Sequence, residues 1–293
     1  MKLDRLAFLA ASTLGTVFWL WQFHWTFGLD AQLYYQAGAA VMAGTDPYLA
    51  ANVSGFHFGA PPLLAFVFAP MSLIPWPVFA VAWTALCVLS AVYLAHEVGW
   101  AWLLFPPLVM GVMLGNPAIP GLAFVMAGWQ LAGLILRPQL ALNVSRRTLI
   151  EWSAFFIPTL LIAPQWLATI TRYGSETGAS VNWWGTPLMV VGIVALILLA
   201  RKEPRTAAWL VMPCVGPGMG WYGFTMVMPV RSYWLGALCA LPIFGLAPAA
   251  IAGYALLRLR DPERHPEMTP TPSPAPPDDE DHFASGVPNV MTR

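Results

Sequence analysis

Charge is scarce in this chain: 14 Lys and Arg and 14 Asp and Glu among 293 residues, 10% in all, with no net charge. A soluble domain carries roughly a quarter charged residues, so this is not a soluble globular composition. The absence of a net positive charge leaves nothing that points to nucleic acid. Cysteine is sparse too. Cys87, Cys214 and Cys239 fall inside apolar runs without metal-ligand spacing and read as small packing residues. The histidines are scattered, so no metal site is expected. There is no Walker loop, no GxGxxG after a strand, no HExxH and no nucleophile elbow. No internal repeat of the kind found in many secondary transporters stands out.

What is present is apolar length: 58% of the residues are hydrophobic and 15 are tryptophan. Leu6–Trp25 follows Lys2 and Arg5, lacks a small-x-small cleavage site, and reads as a retained membrane helix entering from the cytoplasm. Seven later runs are long enough, or nearly so, to cross: 76–96, 100–115, 118–136, 149–170, 186–200, 207–228 and 234–257. The stretch 58–75 is apolar but broken by Pro61, Pro62 and Pro70, and proline frees backbone groups that lipid cannot satisfy. Basic clusters at Arg146-Arg147, Arg201-Lys202 with Arg205, and Arg258 with Arg260 should face the cytoplasm. That requires an odd number of crossings before Arg146, so 58–75 is expected to dip in and return. The expectation is an all-α, polytopic cell-membrane protein with about eight crossings and both termini inside. From Asp261 to Arg293 the chain is proline-rich and acidic and reads as a disordered cytoplasmic tail, leaving 1–260 as the membrane domain.

The stretch between the first two apolar runs, Phe27 to Pro62, cannot itself cross and has no Lys or Arg, which places it on the outer side. Asp30 stands where a helix N-cap would and Gly44 where a C′ residue would, so a short interfacial helix is expected between them. Asp46-Pro47-Tyr48 then reads as a turn. Asp30 can be a cap, a catalytic carboxylate or both. Asp46 can be a turn former or a second acid. Tyr34, Tyr35 and Tyr48 can sit at an interface or contact a ligand, and His57 can be an interfacial polar residue or part of a binding site.

Asp30, Tyr34-Tyr35, Ala37, Gly44-Thr45-Asp46-Pro47-Tyr48, Phe56 and Pro61-Pro62-Leu63 together resemble the first outer loop of glycosyltransferase family 87. That family, within the GT-C superfamily, contains polyprenol-phosphate-mannose-dependent mannosyltransferases and related arabinofuranosyltransferases. Further on, Leu114-Gly115-Asn116-Pro117 is similar to the family's Gly-Gln motif, and Arg137-Pro138-Gln139 to its Lys/Arg-Pro-Gln element. The resemblance implies a GT-C-like fold and transfer of a sugar, most plausibly mannose, from a polyprenyl-phosphate donor to a lipid or glycan acceptor on the outer face. It implies Asp30 as general base. No cofactor or metal is expected.

The leaving group is a lipid phosphate, which needs a cation. Arg137 and Arg231 are the candidates. If 118–136 crosses in one piece, Arg137 is only a cytoplasmic anchor. To reach the site, Gln130 to Arg147 would have to form a hairpin. Arg231 is expected on the outer side, where it can also snorkel to headgroups. Arg172 and Glu176, in the loop before Val181-Asn182-Trp183-Trp184, are expected to help shape an acceptor entrance. Other classes remain open at this level: a non-catalytic membrane scaffold packing helices through its tryptophans, or a small lipid transporter.

Overall fold

A computed structural model describes residues 2–165, 187–215, 221–241, 243 and 245–260. The expected tail over 261–293 and the entrance residues Arg172, Glu176 and Val181–Trp184 lie outside the described residues. The architecture is all-α. Strand is limited to one hairpin of two residues a side, Asn52–Val53 against Phe56–His57.

The helices are α1 (Lys2–Phe23), α2 (Leu29–Met42), α3 (Pro47–Ala50), α4 (Pro62–Phe68), α5 (Trp76–Val98), α6 (Pro106–Leu114), α7 (Ala118–Met126), α8 (Gln130–Leu136) and α9 (Arg146–Ile162). They continue with α10 (Pro187–Lys202), α11 (Pro204–Val215), α12 (Tyr233–Cys239) and α13 (Leu246–Arg260). A 3-10 segment, Trp221–Val230, joins the α11 and α12 regions. Two helices, over Leu3–Gln22 and Trp76–Val98, are long and apolar enough to cross a membrane. Both carry exposed apolar faces, with Leu6, Leu14 and Trp21 on one and Val78, Val81 and Leu89 on the other, as a lipid-facing helix should.

Most of the other runs that read as single spans are broken, and proline explains several of the breaks. Pro106 and Pro107 stop the 100–115 run from being one helix, so a 3-10 turn over Trp100–Leu104 precedes α6. The pair α6 and α7 bends by 116° at Gly115-Asn116-Pro117. The expected one-piece crossing over 118–136 does not form. The chain reverses through Ala127–Trp129, and α8 returns along α7. The 207–228 and 234–257 runs are likewise divided, the first into α11 and the 3-10 segment, the second into α12 and α13.

The stretch 58–75 stays beside α2. Its helix α4 packs along α2, with Gly38 against the Phe68 carbonyl, and its end returns to Tyr35, whose hydroxyl donates to the Ile74 carbonyl at 2.9 Å.

Lipid is as apolar as leucine, so packing rather than water exclusion holds such helices together, and small residues permit the close approach this needs. The larger core surrounds Phe8, whose ring lies 4.7 Å from Trp102 and 5.3 Å from Tyr233. The α12 helix can lie this close to α1 because Gly236 faces Phe8 and Gly15 faces the Ala240 carbonyl. A second core lies under α2 and contains Tyr48, Phe58, Phe68, Phe79 and Trp83. The stretch between α1 and α5 therefore rests on an aromatic platform rather than hanging free.

Candidate functional site around Asp30

Helix α2 starts two residues earlier than the sequence suggests. Gly28 occupies the N-cap position, so Asp30 lies within the first turn and caps nothing. Its side chain turns instead to the corner between α6 and α7, where Asn116 Nδ2 donates to Asp30 Oδ2 at 2.6 Å. The C-terminal end of α2 follows expectation. Gly44, at φ 67, is the C′ residue, Gly44 N–H bonds the Val41 carbonyl and Thr45 N–H bonds the Ala40 carbonyl, the double closure of a Schellman motif. Asp46 then caps α3, its Oδ1 accepting from Tyr48 N–H at 2.8 Å.

The corner that meets Asp30 is fixed from several sides. Trp83 Nε1 donates to the Gly115 carbonyl at 2.7 Å, and Gly28 N–H donates to the Met113 carbonyl at 2.7 Å. Asn116 is only 4% exposed, and its Oδ1 accepts from Ala118 N–H at 2.8 Å. Burial raises the Asp30 carboxyl to about 6, with the Asn116 hydrogen bond working in the opposite direction. A carboxyl near 6 can exchange a proton close to neutral pH, as a general base must.

Tyr34 follows Asp30 by one helical turn and shares its face of α2. Its ring stands edge-on to Phe58 at 5.6 Å and tilted against Phe68 at 5.2 Å. Its hydroxyl is pushed well up by burial and further by the Asp30 charge, while Arg137 opposes this. Tyr34 thus feels both the acid and the cation.

Arg137 arrives there because α8 folds back on α7, which sets its Cβ beside Gly121, one turn from the Asn116 corner. The guanidinium is buried, with Nη2 donating to the Gly223 carbonyl at 3.3 Å and Nη1 to Thr225 Oγ1 at 3.5 Å. The reversal that delivers it is the tight turn after α7, not a hairpin over Gln130 to Arg147. Tyr222, adjacent to Gly223, lies close to Asn116.

Asp30, Tyr34, Asn116 and Arg137 are therefore brought together, and Tyr222 and Thr225 join them. The other residues singled out from the sequence are not. Tyr48 is 1% exposed, packs on Phe58, and donates its hydroxyl to the Ala60 carbonyl at 3.3 Å, so its ring is core and offers no face to a sugar. Tyr35 packs on Trp76 and Phe79. Asp46 is engaged by Tyr48 N–H and by Gln165 Nε2 at 3.3 Å. His57 sits in the small hairpin, its Nε2 3.2 Å from Asn52 Nδ2. Gln139 is exposed on the 3-10 turn after Arg137.

Arg231 lies at the wrong end of the bundle for the role expected of it. The 3-10 segment begins at Trp221 beside Trp19, at 5.0 Å, and runs back toward Phe8, so Arg231 precedes Tyr233 near the start of α1.

Tyr222 and Thr225 escape a reading by sequence because they lie inside an apolar run. The available signal is a pair of polar groups in a stretch that reads as lipid-spanning, which marks a buried function by default. Among the described residues no group of three or more His, Cys, Asp or Glu could hold a metal ion. Comparison of the chain with protein-family models, with curated proteins and with solved structures gave no match.

Proposed function

We propose that the chain is a membrane glycosyltransferase that moves a sugar, most plausibly mannose, from a polyprenyl-phosphate donor to a lipid or glycan hydroxyl on the outer face. The observation that carries this is that Tyr34 feels the charges of both a half-buried carboxyl, Asp30, which Asn116 holds, and a buried guanidinium, Arg137. Base and leaving-group partner are what transfer from a phosphate-linked sugar requires.

In the reaction, Asp30 takes the proton of the acceptor hydroxyl as its oxygen attacks the anomeric carbon. The bond from that carbon to the phosphate oxygen breaks, and polyprenyl phosphate leaves with one further negative charge, compensated by Arg137. A retaining mechanism would need a second carboxyl roughly 5–5.5 Å away to act as nucleophile. Among the described residues Asp30 is the carboxylate of this cluster, since Asp46 is engaged elsewhere, which supports inversion. The loop between α1 and α5 faces outward, both termini are cytoplasmic, and the chain crosses the membrane several times, in part through broken helices.

The test is transfer of label from polyprenyl-phosphate mannose in membranes holding the full chain or its Asp30→Asn variant. Loss of nearly all turnover in the variant is expected. Equal transfer by both, or none by the unaltered chain across mannose and pentose donors, would remove the proposal.

A further inference from the structure

Asn116 turns both ends of its amide toward groups of this chain. Its Oδ1 accepts from Ala118 N–H at 2.8 Å and its Nδ2 donates to Asp30 Oδ2 at 2.6 Å, with Tyr222 close by. Because Oδ1 is committed to a backbone donor, the amide orientation is fixed and only Nδ2 can face the acid. The backbone around it is fixed as well, by Trp83 on the Gly115 carbonyl and by Gly28 on the Met113 carbonyl.

We propose that Asn116 is a positioning residue for Asp30: locked by Ala118, it engages Oδ2 and leaves Oδ1 as the oxygen that receives the proton. This differs from the substrate contact that its place in the sequence suggests. Its catalytic meaning rests on the transferase reading above, whereas its hold on the Asp30 proton does not.

Ionisable groups face that carboxyl from several elements: Tyr34 on α2 itself, Cys87 on α5 and Tyr222 on the 3-10 segment feel its charge, and Arg137 at the end of α8 acts on Tyr34 and Tyr222. Asn116 reaches it from the α6–α7 corner. Of these, Asn116 is the neutral donor in direct contact with the carboxylate. A hydrogen bond to a charged acceptor favours the ionised form. Its removal should raise the carboxyl by about one to two pH units.

The test reads Asp30 directly in the purified full chain, with no need for turnover. Dicyclohexylcarbodiimide, an apolar reagent, adds to a protonated carboxyl to give a stable N-acylurea, which peptide mass analysis locates. The unaltered chain should label at Asp30 with a midpoint near pH 6, and Asp30→Asn should not label at that site. Asn116→Ala should move the midpoint upward by about one to two units.

Asn116→Asp guards against a folding defect, because its oxygen can still cap Ala118 while a like charge replaces the donor. Its midpoint should rise at least as far. An unchanged or lower midpoint in Asn116→Asp overturns the assignment. The pH profile of sugar transfer should follow the same order. A shifted labelling midpoint in a chain that transfers no sugar leaves Asn116 as the positioner of Asp30 and removes the transferase reading. Transfer with unmoved midpoints does the reverse.

Discussion

Gly121 and Gly133 face each other across the α7–α8 hairpin so closely that a methyl group on Gly133 would lie 2.5 Å from the Gly121 carbonyl oxygen. That approach folds α8 onto α7 and carries Arg137 back toward Asp30. The atoms in the way include the Gly121 carbonyl and the Val125 backbone nitrogen, which cannot rotate aside as a side-chain tip would. Gly133→Ala should therefore destabilise the protein by about 1–3 kcal/mol. Transfer should fall much more than stability, because a displacement of roughly 1 Å at a reacting group can cost a hundredfold. Thermal unfolding in detergent beside initial rates separates the two effects.

The raised Asp30 carboxyl fixes the sign of two pH effects. Transfer needs the ionised form, so its rate should climb through about pH 6 and level off above it. Stability moves the other way. The folded carboxyl, at about 6, lies above its ordinary value of 3.8, so the native state holds the proton longer than the unfolded chain. Stability from this group is full below the ordinary value and is lost as pH rises through 6, by at most about 3 kcal/mol. In Asp30→Asn that loss should vanish. Unfolding temperatures of the two chains at pH 5 and pH 7.5 measure it.

Arg137 and Arg231 should part company under substitution. Arg137→Ala removes the guanidinium that meets Gly223 and Thr225, and kcat/KM should drop by about two to three orders of magnitude, as for loss of one transition-state donor. Arg231→Ala alters a half-buried residue that precedes Tyr233 near Phe8, away from the Asp30 cluster, and should leave kcat/KM within about threefold. Steady-state kinetics on both variants decides the matter.

Near the end of α13, Arg258 forms a buried ion pair with Glu203, Nη2 to Oε2 at 2.6 Å. Both side chains are nearly inaccessible, at 5% and 8% exposure. Glu203→Gln leaves a buried cation without its counter-charge and should cost about 3–5 kcal/mol, whereas the double variant Glu203→Leu with Arg258→Met should lose far less. Thermal unfolding of the two variants checks the difference, and neither change touches Asp30.

Local punctuation was legible in the chain. Gly44, Asp46 and Pro47 mark the end of α2 and the start of α3 because their preferences are short-range and do not wait for a partner. The all-α class follows from long apolar runs for the same reason. The breaks within 118–136 and 207–228 were not read from the sequence, since an apolar run looks alike whether it crosses straight or doubles back. Gly121 and Gly133, twelve residues apart, carried the hint. The mistake over Arg231 has this origin: a run taken as one crossing hides the return of the 3-10 segment toward Phe8. Tyr48 reads like an interfacial ring from its neighbours, yet Phe58 and Ala60, which bury it, come later in the chain. Asp30 looked like a cap because Asn116, its actual partner, lies 86 residues away.

That separation governs when the cluster can exist at all. Asp30 waits for Asn116, and Arg137 waits for Gly223 and Thr225, a further 86 and 88 residues along. A ribosome-bound fragment ending before Gly223 would own the acid but lack the seat of its cation. On the transferase reading, a donor lipid meeting such a fragment would find half a site, and transfer would wait for the segment that seats Arg137.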